Sequence, residues 1–194
     1  MDYTPARPAQ GDDMNPPPIG DALGFAWERV KQDPWTMIIG VIVAQVLFMI
    51  PIAGIGLGMA GLMTMAAKVA RGQSAEIGDV LSGFQKPVDN IMIGLLQASG
   101  MLLCGFGVLI TAPLFFAGYF LVAERGLNWQ QAMDVCLTQV KPAIVSWSIF
   151  WFVLTLFSQL GLIACCVGVL GTSAVTMVAL AHAYDQTLGQ QLPV

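Results

Sequence analysis

Charge is what this chain has least of. Only 10% of its residues are Asp, Glu, Lys or Arg, and 12 acids against eight bases give a formal net charge of −4. Bases so few and so scattered leave no face for nucleic acid. A single histidine, His182, excludes a multi-histidine metal site. The four cysteines contain no C-x-x-C, and Cys165 and Cys166 are adjacent, so no disulfide framework is expected. There is no H-E-x-x-H, no G-x-S-x-G, no glycine loop with a phosphate-binding lysine, and no nucleophile set beside a base. These absences argue against an enzyme and against a cofactor.

Long apolar tracts take the place of charge. The chain is 56% hydrophobic with a mean hydropathy of +0.72, values of the membrane class. Residues 35–67, between Asp33-Pro34 and Lys68, form 33 consecutive positions without a charge. Residues 90–123 and 142–184 repeat that design. One straight helix of that length would reach about 50 Å, against about 30 Å of hydrocarbon. Each tract is instead expected to fold back at its breakers: Pro51, Gly54 and Gly56 in the first, residues 104–107 in the second, 161–168 in the third. The sequence therefore predicts an all-α integral membrane protein with six transmembrane helices in three hairpins. The legs of the first two hairpins have only about 15–17 residues, at the short end for a crossing.

A short amphipathic helix is expected before each hairpin. In the first, Asp21 is placed to cap, and Leu23, Ala26, Trp27 and Val30 share a face. Ile77, Val80, Leu81 and Phe84 repeat the spacing. In the third, Asn128 and Gln131 form a capping box ahead of the stripe Trp129, Ala132, Met133, Cys136 and Val140. These segments are too short and polar to span, and should lie in the interface. Pro34, Pro87 and Pro142 then start the first legs, 53 and 55 residues apart, a regularity that points to an internal repeat over 21–73, 74–126 and 127–186. Residues 1–20, with five prolines and no signal-peptide pattern, read as a disordered cytoplasmic tail, and 187–194 as a short C-terminal one. Arg29, Lys31, Lys68, Arg71, Lys86, Arg125 and Lys141 all fall on the side of the amphipathic helices. The positive-inside rule puts that side and both termini in the cytoplasm, and the protein in a bacterial inner membrane.

The tracts hold few polar groups. Gln45 and Gln97 stand 11 and 10 residues after their prolines, at matching depth, and Gln159 lies in the fifth expected helix. They read either as a polar path between hairpins or as interhelical bonds worth about 1 kcal/mol or less. Gly54-x-x-x-Gly58 suits close helix packing. Cys104 and either Cys165 or Cys166 fall near the far tips, where a bridge between hairpins is conceivable.

Ala70-Arg71-Gly72-Gln73, the segment from Ile77 to Phe84 and the exit from Pro113 to Glu124 carry a resemblance. Over about residues 20–186 the chain resembles bacterial multi-pass proteins of unknown function, akin to the membrane domain associated with glycerophosphoryl diester phosphodiesterases. That resemblance implies a six-helix inner-membrane protein with no established chemistry. The phosphodiesterases' catalytic domain has no counterpart here. Two functions compete: a non-enzymatic membrane organiser or accessory subunit, and a small-solute channel or transporter using Gln45 and Gln97. The expected partners are the lipid bilayer and another membrane protein or a second copy of this chain, not nucleic acid.

Overall fold

The first helix, α1 (Ile19–Val30), starts two residues ahead of the expected cap. Pro18 stands at the N-cap without a side-chain bond, and Asp21 sits inside the first turn, where its charge favours the positive end of the helix dipole. The structure, a computed structural model, describes residues 15–50, 53–102, 106–161 and 165–191, and among them every regular element is helical. Most of the N-terminal tail, Pro51 and Cys104 fall outside the described residues, as do the side chains of Cys165 and Cys166.

The remaining helices are α2 (Pro34–Phe48), α3 (Ala53–Ala70), α4 (Pro87–Leu102), α5 (Phe106–Arg125), α6 (Trp129–Val135), α7 (Ile144–Leu160) and α8 (Cys165–Gln191). A 3-10 helix, Ile77–Gln85, connects α3 to α4. Pro34 and Pro87 open α2 and α4 as expected, the first with Asp33 capping Thr36 N–H at 3.2 Å. The capping box of Asn128 and Gln131 is formed. Because α8 continues to Gln191, with Thr187 and Leu188 buried, residues 187–191 belong to the helix rather than to a tail.

Three expectations need correction. Gly54 and Gly56 are not at a hairpin tip but inside α3. The second amphipathic segment is a 3-10 rather than an α-helix. Three residues per turn bring Val80 and Gly83 onto one line, where they meet Gly61 and Leu57 of α3. Pro142 does not start a helix either. Between α6 and α7, a π-helical turn (Cys136–Val140) and a 3-10 turn (Lys141–Ala143) keep the helix running from Trp129 to Leu160. A proline has no N–H for the carbonyl one turn back, and the widened turn absorbs that loss without a break.

Packing gives the helices two ranks. The second legs α3, α5 and α8 meet one another in the centre, and each first leg fills a groove between two of them. Thus α2 lies between α3 and α8, α4 between α3 and α5, and α7 between α5 and α8. The interior holds alanines, methionines, leucines and valines around a group of aromatic rings. Tyr184 of α8 stacks on Trp147 of α7 with centroids 4.4 Å apart, touches Phe120 of α5, and donates its hydroxyl to the Pro113 carbonyl.

The outer surface carries the large aliphatic groups. On α2, Trp35, Ile39, Ile42, Val46 and Met49 point outward at intervals of four and three, while Met37, Gly40, Val41 and Ala44 face in. On α7 the outward line is Val145, Ile149, Phe152, Leu156 and Leu160. Among the described residues two helical stretches, rather than the six expected, are by themselves long and apolar enough to cross a membrane: Ala53–Ala70 and Trp129–Leu160. The apolar 18-residue window of the first is 67% buried inside the protein and that of the second 22%, which separates a central helix from a peripheral one. At 15 and 16 residues, α2 and α4 reach only about 22–24 Å, which is why they fail the same test.

Candidate functional site

The three glutamines do not share an interior. Gln97 is buried on α4 and accepts a hydrogen bond from the Tyr119 hydroxyl of α5 at 3.1 Å. Gln45 and Gln159 point outward from α2 and α7. Matching depth did not mean matching face: a shift of one residue on a helix rotates a side chain by about 100°. The glycine pair is used as expected. A Cβ on Gly54 would overlap the Leu47 carbonyl, and one on Gly58 would meet the Phe48 ring and the Ala44 carbonyl, so both let α2 approach α3.

Polar chemistry collects instead where α3 ends and along the 3-10 helix, which runs back over α3 from Lys68 to Leu57. Helix α3 stops there in a Schellman motif. Gly72, at φ +72°, donates to the Val69 carbonyl, and Gln73 N–H reaches the Lys68 carbonyl at 2.9 Å. The motif fixes Arg71 at the C-cap, beneath the ends of the other two central helices. Its guanidinium bonds Glu124 of α5, bonds Asp185 of α8 at 2.6 Å, and lies 5.9 Å from the Phe120 ring. One side chain from each central helix thus meets at a point. The bond to Asp185, aided by Glu124, holds the Arg71 pKa above its ordinary value despite partial burial.

Beside this triad is a cleft of about 330 Å³ between α3, the 3-10 helix, the start of α4 and the end of α5. Lys68 lines it and pairs with Asp79 at 2.6 Å. Asp79 is held by its own element, because its other oxygen accepts from Glu76 N–H at 2.8 Å. Lys86 lines the opposite side. Its amine bonds the carbonyls of Gly126 and Leu127, the Leu127 contact at 3.4 Å. Asn90 is 3% exposed, and its Nδ2 donates to the Gly83 carbonyl at 2.8 Å. That bond fixes the amide orientation, since only the nitrogen can donate, and it leaves Asn90 Oδ1 buried without a partner. Ser82 Oγ is in the same condition.

A second pairing clips α1 to α8. Phe25 stacks on His182 with centroids 3.8 Å apart, and Arg29 lies 5.2 Å from the Phe25 ring. His182, 3.0 Å from the amide of Gln186, is therefore held in an interhelical contact.

None of the triad or cleft was singled out from the sequence. The recurrent Arg-Gly at 71–72 and 125–126 and the carboxylates at tract ends were the available signals. Nothing in the spacing says that Arg71 finds Glu124 and Asp185. No family model matches the chain, and neither a curated protein nor a solved structure proves similar to it.

Proposed function

We propose that this is a multi-pass protein of the bacterial cytoplasmic membrane, made of three helical hairpins with both termini in the cytoplasm, and that it organises the membrane or serves as an accessory subunit without catalysing a reaction. One observation carries the reading: large apolar side chains line the outside of α2 and α7 at helical spacing, while glycines of α3 let its neighbours approach closely. A protein folding in water leaves no such stripes facing solvent. In lipid, apolar outer surface costs nothing and small residues let helices touch. Charge placement sets the orientation, with the ion-paired end in the cytoplasm.

The organising role follows from shape. Three extra helical segments precede hairpins whose first legs are short, and in the inner leaflet they would give the protein more area there than in the outer. Reconstitution into liposomes at rising protein-to-lipid ratio tests this. Narrowed vesicles or tubules are expected, and vesicles of unchanged size at every ratio would overturn the shape argument. The alternative, a solute path along Gln45 and Gln97, has less support. Gln45 faces outward and Gln97 is occupied by Tyr119.

A further inference from the structure

We infer that the cleft under the 3-10 helix binds a phosphate group that carries a hydrogen-bond donor beside it, as a phospholipid headgroup with an ammonium or hydroxyl does. The inference rests on the membrane reading for the source of that phosphate, although not for its chemistry. Three observations meet in the cleft. The first is charge: Lys68 is neutralised by Asp79, whereas Lys86 is held, among the described residues, by backbone carbonyls, so the lining carries one net positive charge, the complement of a phosphodiester monoanion. The second is the pair of buried oxygens, Asn90 Oδ1 and Ser82 Oγ, which have no partner among the described residues. Burying a carbonyl oxygen without a donor is costly, so the site suits a ligand that brings one. A bare phosphate dianion brings none.

The third observation is place. The volume of about 330 Å³ is at the lower end for small-molecule sites and takes a headgroup without its chains. Ile77, Leu81 and Phe84 of the 3-10 helix and Val88 of α4 point outward next to it, and they offer acyl chains an apolar path from the cleft. Gly83 lets the 3-10 helix close onto α3, for a side chain there would collide with the Leu57 carbonyl, and Gly126 takes a positive φ beside Lys86.

Phosphatidylethanolamine and phosphatidylcholine make the discriminating probes. Both are zwitterionic and both carry the phosphodiester, but only the ethanolamine has N–H donors. The test is the thermal unfolding of the full chain in a neutral detergent, titrated with each lipid and with soluble phosphoethanolamine. Phosphatidylethanolamine should raise the melting temperature at concentrations where phosphatidylcholine does not. Lys86→Gln should weaken that response about five-fold, the effect of one lysine near a headgroup. Ser82→Ala should weaken it too, and Lys31→Gln, at an exposed pair with Glu28, should not. Equal shifts with both lipids, or an unchanged response in Lys86→Gln and Ser82→Ala, would overturn the inference. Protection by the lipid alone assigns the phosphate to the bilayer, and equal protection by phosphoethanolamine assigns it to a soluble ester. Carbonate extraction of cell membranes separates the two failures. A chain that is extracted yet protected by phosphoethanolamine refutes the membrane reading alone, and a chain that stays in the membrane but responds to no probe refutes the site alone.

Discussion

Gly61 and Gly24 show how differently one residue type is used. At Gly61 a Cβ would sit on the carbonyl of Val80, so the 3-10 helix can lie on α3 only because that side chain is missing. At Gly24 a Cβ meets nothing. Gly61→Val should cost about 3 kcal/mol by forcing two backbones apart. Gly24→Ala should stabilise by up to about 1 kcal/mol through helix propensity. Thermal unfolding in detergent distinguishes them, and equal effects would refute the close packing. Arg71 holds two carboxylates from two other helices, all three groups being partly exposed. Arg71→Gln should therefore cost about 1–3 kcal/mol, between the values for surface and buried pairs. Recovery of stability in Arg71→Gln with Glu124→Gln would show that carboxylate repulsion is the cause. The glutamines separate in the same way. Gln97→Leu should cost about 1 kcal/mol by stranding the Tyr119 hydroxyl. Gln45→Leu should be neutral, and the double variant should match Gln97→Leu.

At the scale of the element, the outward stripe of α2 separates a helix in lipid from one in water. Ile42→Arg places a charge near its middle on the outer face. In water such a change would be close to neutral. In a bilayer it should cost about 3 kcal/mol of insertion and shift chains out of the carbonate-resistant membrane fraction. Retention equal to the parent would contradict the stripe's role. Element types followed closely from the sequence, because they depend on local cues: Pro34 and Pro87 begin helices, Asn128 and Gln131 cap one, and uncharged tracts make pairs of legs. What was not legible depended on partners in space. The 3-10 geometry of Ile77–Gln85 answers to Gly61 across the contact, and the π turn before Pro142 answers to the continuity of a helix packed at both ends. Glycines in the first tract looked like turn residues because sequence alone does not tell a breaker from a packing surface. The cleft was invisible for the same reason, since Lys68, Asp79, Ser82, Lys86 and Asn90 come from α3, the 3-10 helix, the residue after it and α4.

For the whole molecule, three central helices in contact, each neighbouring two outer ones, form an arrangement that a threefold repeat would produce, and the prolines 53 and 55 residues apart give it a sequence counterpart. In the proposed orientation three hairpin tips reach the far side of a membrane whose near side holds the Arg71 triad. The most direct test places single cysteines at Ala53, Gly107 and Gly168, where α3, α5 and α8 begin, and at Ser74 beside the opposite end, in a chain otherwise free of cysteine. An impermeant thiol reagent added to intact cells should label the three tip positions and leave Ser74 unlabelled until the cells are opened. Tips that stay unlabelled until the membrane is dissolved, or a Ser74 that reacts in intact cells, would contradict the account.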